Sequence, residues 1–351
     1  MALRIAIWRV KLAQQVESEP WIPGRVGTVS EADAADIKSR LATLTPLDWS
    51  VFSYVTFVAL IAIGCAAAIP QWPWIVAGHA VLAAAMFLLP ARGAKWERPK
   101  ASDSGLITRA RTLARFLRYT YPALLLAPLF EEVSLTVNAL APASPYWFEP
   151  YLYAADRALF GSTPSIVLSQ AGNAITDELM HAFHFSYYLL IIGGIVLAWR
   201  GGIHRRETPA RGFDTAVACM MLGFFLSYVW YPFLPARGPW ENPALMSGLR
   251  PFDGWLFTPL LRWIISHASV SGGCFPSAHV SGTWALTFGL FAAHRRAAVW
   301  FGVVAMGLSL ACVYLRYHHA VDVFAGFVVA LGAAWLGYRL APDEERAALT
   351  A

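Results

Sequence analysis

The chain has 351 residues, 57% of them hydrophobic and only 14% charged, with a formal net charge of +5. That charge content is well below the roughly 25% of a soluble domain, which argues against an ordinary water-soluble globule. The basic residues are dispersed rather than gathered in one patch, so no nucleic-acid partner is expected.

Apolar runs of about 20 residues, long enough to cross a bilayer, recur along the chain. The expected class is an all-α integral membrane protein, a bundle of about eight spanning helices. The first 48 residues mix Arg4, Arg9, Lys11, Glu17, Glu19, Asp33 and Asp36 without the apolar stretch of a cleavable leader. They read as a cytoplasmic segment, 1–48. The spans are expected at 49–69, 72–90, 115–137, 179–199, 214–232, 276–293, 298–315 and 319–340. Only Pro70-Gln71 separates the first two, so they form a hairpin that, with the basic segment after it, makes a unit at 49–118. Residues 119–340 are expected to form the membrane-embedded catalytic domain, and 341–351 a cytoplasmic tail.

Residues 142–177 carry Tyr146, Trp147, Phe148, Tyr151, Tyr153 and Phe160, rings suited to lying along a membrane interface. The other long connection, 233–275, is expected to wall the site. Cys65, Cys219, Cys274 and Cys312 have neither metal-type spacing nor a disulfide framework.

Orientation follows from the arginines and lysines. Eight of them lie in 91–118, four in 200–213, and two at Arg295-Arg296. With eight spans these segments and both termini share one side, cytoplasmic by the positive-inside rule. The opposite face, periplasmic, extracytoplasmic or lumenal, then receives Arg237, Ser277, His279, His318 and Asp322 together. Ionisable groups at such a place point to function.

His318 and Asp322 are one helical turn apart on one face. The carboxylate can fix the imidazole tautomer and stabilise the charge that builds on the ring during nucleophilic attack. A purely structural histidine–aspartate pair is the ordinary alternative. Pro276-Ser277-Ala278-His279 opens a span, where proline suits the first turn and free backbone N–H groups attract anions. Gly273, after Gly272, lets the backbone approach a phosphate. Ser277 can donate to a phosphate oxygen, and His279 can act as general acid.

Arg237 and Arg316 are the candidate phosphate-binding guanidiniums, with Arg250 in reserve; capping a loop or reaching to head groups are their ordinary alternatives. Glu131, Glu132, His181, His184 and Asp253 are candidate head-group or acceptor contacts, against plain structural hydrogen bonding. Glu131 and Glu132 with His181 and His184 could mimic a metal site, but the His-x-x-His spacing without a glutamate in register is weak support for one. No metal and no other cofactor is expected. His319 faces a different side from His318 and reads as structural.

These residues resemble the type 2 phosphatidic acid phosphatase superfamily. The stretch 275–282, Phe-Pro-Ser-Ala-His-Val-Ser-Gly, is similar to its second motif, and His318 with Asp322 and the following Val323-Phe324-Ala325-Gly326 to its third. The resemblance implies a six-helix-type core, a nucleophile at His318 that forms a phosphohistidine, an orienting Asp322, and His279 protonating the leaving group. Two positions depart from the phosphatase branch. Pro243 stands where it has a lysine seven residues before Arg250-Pro251, and Cys312 where it has an arginine six residues before the nucleophile. Tyr231–Pro239, Tyr314–His318 and Asp156–Gly161 look more like the inositol phosphorylceramide synthase branch.

A site short of two cations suits a singly charged phosphodiester better than a monoester. The expected activity is therefore a membrane phosphotransferase that moves a phosphorylated, phosphoinositol-like head group from a phospholipid donor to a lipid alcohol. The alternatives are a lipid phosphate or diphosphate phosphatase, with water as acceptor, and a non-catalytic transporter with a polar vestibule. The head group, the acceptor and the oligomeric state are not encoded in any motif.

Overall fold

Crowded small residues and long apolar stretches make the described residues mostly helical. The computed structural model describes residues 41, 44–88, 103–141, 147–200 and 212–341. Most of the expected cytoplasmic segment, the tail, and large parts of the basic segments at 89–102 and 201–211 lie outside the described residues. Leu44–Ala351 form one compact unit.

The helices are α1 Pro46–Gly64, α2 Trp72–Leu88, α3 Gly105–Leu124, α4 Leu126–Leu140, α5 Glu149–Phe160, α6 Pro164–Gln170, α7 Ala174–Arg200 and α8 Phe213–Trp230. After a short 3₁₀ turn at Pro239–Glu241 come α9 Pro243–Met246, α10 Phe257–Ala268, α11 Ala278–Ala293, α12 Arg295–Tyr314 and α13 Ala320–Leu340.

Among the described residues, six helical stretches are long and apolar enough to cross a membrane: α1, the joined α3–α4 of 36 residues, α7, α8, α12 and α13. α11 has only 16 residues, cut at one end by its Ser277 cap and at the other by His294, and α2 is described as far as Leu88. The expected single span at 115–137 is instead two helices meeting at Leu125. Pro122, inside α3, lacks an N–H and crowds the preceding turn. α3 also begins ten residues before that expected span, so the unit boundary drawn at residue 118 falls inside a helix.

α8 is the hub, with 78% of its apolar window buried. It packs against α11 and α13, and α12 closes against α7 and α11. Lipid offers no hydrophobic drive between helices, so close backbone approach decides these contacts. Ser281 Oγ donates to Gly223 O at 2.9 Å and lies 2.7 Å from Ser227 Oγ. The outward faces carry Trp74, Trp300 and Trp335, each more than 60% exposed, as a lipid-facing surface should.

α1 is tied to α3 by ions rather than by packing alone. Arg118 Nη1 donates to Asp48 Oδ1 at 3.0 Å and Tyr121 Oη to the same oxygen at 2.7 Å, with both charged side chains almost fully buried.

At the end of the bundle where α8 and α12 finish and α7, α11 and α13 begin, carboxylates fasten the connecting segments. Glu178 accepts from the backbone N–H groups of Trp255, Leu256, Phe257 and Thr258, at the start of α10. Asp177 holds Arg250 at 2.6 Å and accepts from Tyr314 Oη and from the Asp253 N–H. Asp156 of α5 accepts from the N–H groups of Ala320 and Val321 at 3.3 and 3.0 Å, at the start of α13. A negative group there satisfies first-turn donors and complements the helix dipole. Replacing Asp156 with alanine is expected to cost about 1–2 kcal/mol of stability. Thermal unfolding in detergent checks this; an unchanged midpoint would show that the clamp is dispensable.

Candidate active site

The two sequence motifs arrive at this end of the bundle from separate elements. Ser277 starts α11, its side chain accepting from Val280 N–H, while Tyr231 Oη accepts from Ala278 N–H. The Phe275–Pro276 peptide is cis. Gly326 lets α13 cross here: a Cβ on it would come within 2.5 Å of Ser277 O. Asp322 O accepts from Ser277 N–H at 3.1 Å, locking the two helix starts together.

His318 lies in the turn between α12 and α13, its backbone N–H donating to Cys312 O at 3.0 Å. Its Nε2 lies 3.4 Å from Nδ1 of His279, and the two rings meet edge to face at 5.6 Å between centroids. Its other nitrogen, Nδ1, is 3.6 Å from Asp322 Oδ2. The structure thus brings His279, His318 and Asp322 together, one ring nitrogen backed by a carboxylate and the other facing the second histidine.

Sequence reasoning missed one neighbour. Cys274 Sγ donates to Asp322 Oδ2 at 2.9 Å and lies 3.4 Å from His318 Nδ1. Burial, with Asp322 beside it, pushes this thiol well above its ordinary range, so it stays a neutral donor. The same Oδ2 also accepts from His319 N–H at 2.8 Å. Asp322 Oδ2 is therefore held by two hydrogen bonds, with His318 Nδ1 3.6 Å away. Cys274, His318 and Asp322 offer ligand atoms within 4.8 Å of one another, and hydrogen bonding accounts for that closeness. The only advance signal was the adjacency of Cys274 to Phe275-Pro276-Ser277.

Gly273 joins the wall. Gly272 has φ +91°, a conformation side chains rarely adopt, and a Cβ there would meet Val137 and Trp147. The chain then pairs in parallel with Ala236, Cys274 N–H donating to Ala236 O. That bridge sets the Arg237 loop beside the glycines, and Trp240 N–H donating to Arg316 O sets it beside the His318 turn.

The guanidiniums have definite protein partners. Arg237 Nε donates to Glu149 Oε1 at 2.7 Å, and its guanidinium lies 5.0 Å from the Trp147 ring centroid. Burial raises the proton affinity of Glu149, and the hydrogen bonds and charge of Arg237 more than reverse this, so the carboxyl sits below its ordinary value. Arg316 is fully buried. It donates to Ser169 Oγ at 2.8 Å and to Arg250 O at 3.0 Å, over the Phe252 ring. Its φ of +65° turns its side chain toward α6. Arg250 Nε donates to Ser169 O, and the rest of its guanidinium binds Asp177 and Tyr314.

Of the candidate head-group contacts, Glu131 is exposed on α4 and Glu132 pairs with His79 of α2 at 3.0 Å. Among the described residues neither makes a hydrogen bond or ion pair with the two site histidines or Asp322. His181 Nδ1 lies 2.7 Å from Asp177 O and 3.2 Å from Thr258 Oγ1, and Asp253 joins the same Asp177 cluster through its backbone. His184 alone of this group reaches the site, with its ring 5.0 Å from that of His279. His319 packs edge-on to Tyr153 at 4.5 Å, away from the pair.

Nothing among curated proteins or solved structures matches the chain. A family model does match, over well under half its length but over all of the motif-bearing helices. Residues 216–346 match the PAP2 superfamily, and that match supports an enzyme of the phosphatase or phosphotransferase kind, here carried by a multi-pass helical membrane protein.

Proposed function

We propose that this protein transfers a phosphorylated head group from a membrane phospholipid to a lipid alcohol, through a phosphohistidine at His318. The observation that carries the reading is the 3.4 Å approach of His318 Nε2 to His279, with Asp322 and Cys274 behind the opposite nitrogen. A carboxylate on Nδ1 favours the tautomer whose Nε2 lone pair is free to attack phosphorus.

In the first half-reaction the Nε2–P bond forms as the P–O bond to the diacylglycerol-type alcohol breaks. His279 gives its proton to the departing oxygen. In the second half-reaction the acceptor hydroxyl attacks, its proton passes to His279, and His318 is released. Arg237, Ser277 and Gly273 line the phosphoryl oxygens. Arg316, braced against Ser169 and Arg250, acts at one remove by fixing the turn that carries His318. The diester preference rests on Cys312 and Pro243. Cys312 is fully buried and Pro243 opens α9, so neither position offers the phosphate a cation. The distribution of basic residues supports a site facing away from the cytoplasm.

The test is to give purified protein a phospholipid labelled at phosphorus, with and without a lipid alcohol. Label appearing in a new lipid only when the alcohol is present is the expected result. Inorganic phosphate as the sole labelled product would reject transfer and leave a lipid phosphatase.

A further inference from the structure

His184 and His319 are buried histidines that the scheme above does not use, and among the described residues neither has a hydrogen bond to a ring nitrogen. His319 faces Tyr153, whereas His184, on α7 and 3% exposed, lies beside the paired histidines. Its ring sits 5.0 Å from that of His279 and 4.7 Å from that of Tyr317, between centroids. A neutral imidazole carries one donor and one acceptor, and buried polar groups are almost always satisfied. His181, one turn earlier on the same helix, obeys this rule through Asp177 O and Thr258 Oγ1. His184 breaks it where α7 meets the general acid–base. Tyr187, three residues on, also packs on His279 at 4.6 Å, so this face of α7 lies against His279. The His318 ring is 5.6 Å from that of His279.

We infer that His184 is the acceptor-binding residue: its ring N–H donates to the oxygen of the incoming hydroxyl while that hydroxyl gives its hydrogen bond to His279. The inference rests on the phosphohistidine reading and adds to it a group that selects the acceptor. In the step it serves, the acceptor oxygen forms its bond to phosphorus as the His318 Nε2–P bond breaks. The electron pair returns to His318 and the hydroxyl proton goes to His279. His184 exchanges no proton; it holds the oxygen in line. Its ligand is therefore a neutral hydroxyl, on a lipid alcohol or on water, and the partition between the two passes through it.

Two variants separate this from a packing role. His184→Phe keeps a ring and removes both nitrogens, and His184→Gln restores a single amide N–H. Phosphoenzyme formation from labelled phospholipid is followed in a single turnover, and its decay is followed with alcohol and water in competition. The expected result for His184→Phe is decay slowed about 10- to 100-fold with a changed alcohol-to-water product ratio; His184→Gln recovers part of the decay rate. Equal loss in both half-reactions with an unchanged product ratio overturns the inference. If His184→Phe does not fold, His184→Gln decides alone: a wild-type product ratio and decay rate together with slowed formation count against the proposal. No phosphoenzyme in the wild-type protein, with any phospholipid offered, instead overturns the underlying reading before His184 is tested.

Discussion

Alanine at His318 is expected to lower turnover by about three orders of magnitude or more and to abolish the acid-labile phosphoenzyme, because it removes the imidazole that the Asp322 carboxylate backs. Alanine at His279 should cost about 10²–10⁴-fold, the range for a lost general acid. The two losses differ in how they are repaired. A substrate whose leaving group is a nitrophenolate needs no proton on departure, so it should restore phosphoenzyme formation to His279→Ala and none to His318→Ala. The geometry gives the reason: His318 Nε2 and His279 Nδ1 face each other at 3.4 Å, but only His318 has a carboxylate behind it. Turnover surviving in His318→Ala would end the phosphohistidine scheme. Equal rescue of both variants would deny them separate roles.

The largest expected loss of stability lies far from the histidines, at Arg118. Its guanidinium and the Asp48 carboxylate are 4% and 0% exposed and 3.0 Å apart. Removing one member of such a pair leaves the other charge buried, at a cost of about 3–5 kcal/mol. Arg118→Ala should therefore lower the unfolding midpoint in detergent sharply and reduce the recovery of monodisperse protein. Converting both partners, as in Asp48→Leu with Arg118→Met, should return most of the stability, since an apolar pair of similar volume often matches or exceeds a buried ion pair. A double variant no better than Arg118→Ala would mean that the ion pair itself holds α1 against α3. A stable single variant would mean that the pair contributes nothing.

The legibility of the site divides along a physical line. Spacing alone led to His279, His318 and Asp322 sharing one end of the bundle, because helix length and the return of the chain constrain where a membrane helix begins. The short α11 still delivered His279 to its expected partner even though its 16 residues fell below an ordinary span. Side-chain direction was not legible. Arg316, two residues before His318, itself has φ +65° and points to Ser169, which no sequence pattern announces. Glu132 turned to His79, a pairing 53 residues distant in sequence that no periodicity announces. Cys274 escaped notice because its importance comes from Asp322, across a tertiary contact. His181 and His184 read as an equivalent pair on one helical face, and only the surrounding loops decide that one is satisfied and the other is not.

The carboxylates at the reacting end have a further consequence for how the molecule is put together. Glu149, Asp156, Asp177 and Glu178 all precede residue 216, yet each is anchored to a backbone or side-chain group beyond residue 230. The segment that matches a known family is therefore not a detachable cassette. Cut out or grafted elsewhere, it would keep its paired imidazoles and lose the anions that hold their scaffold in register.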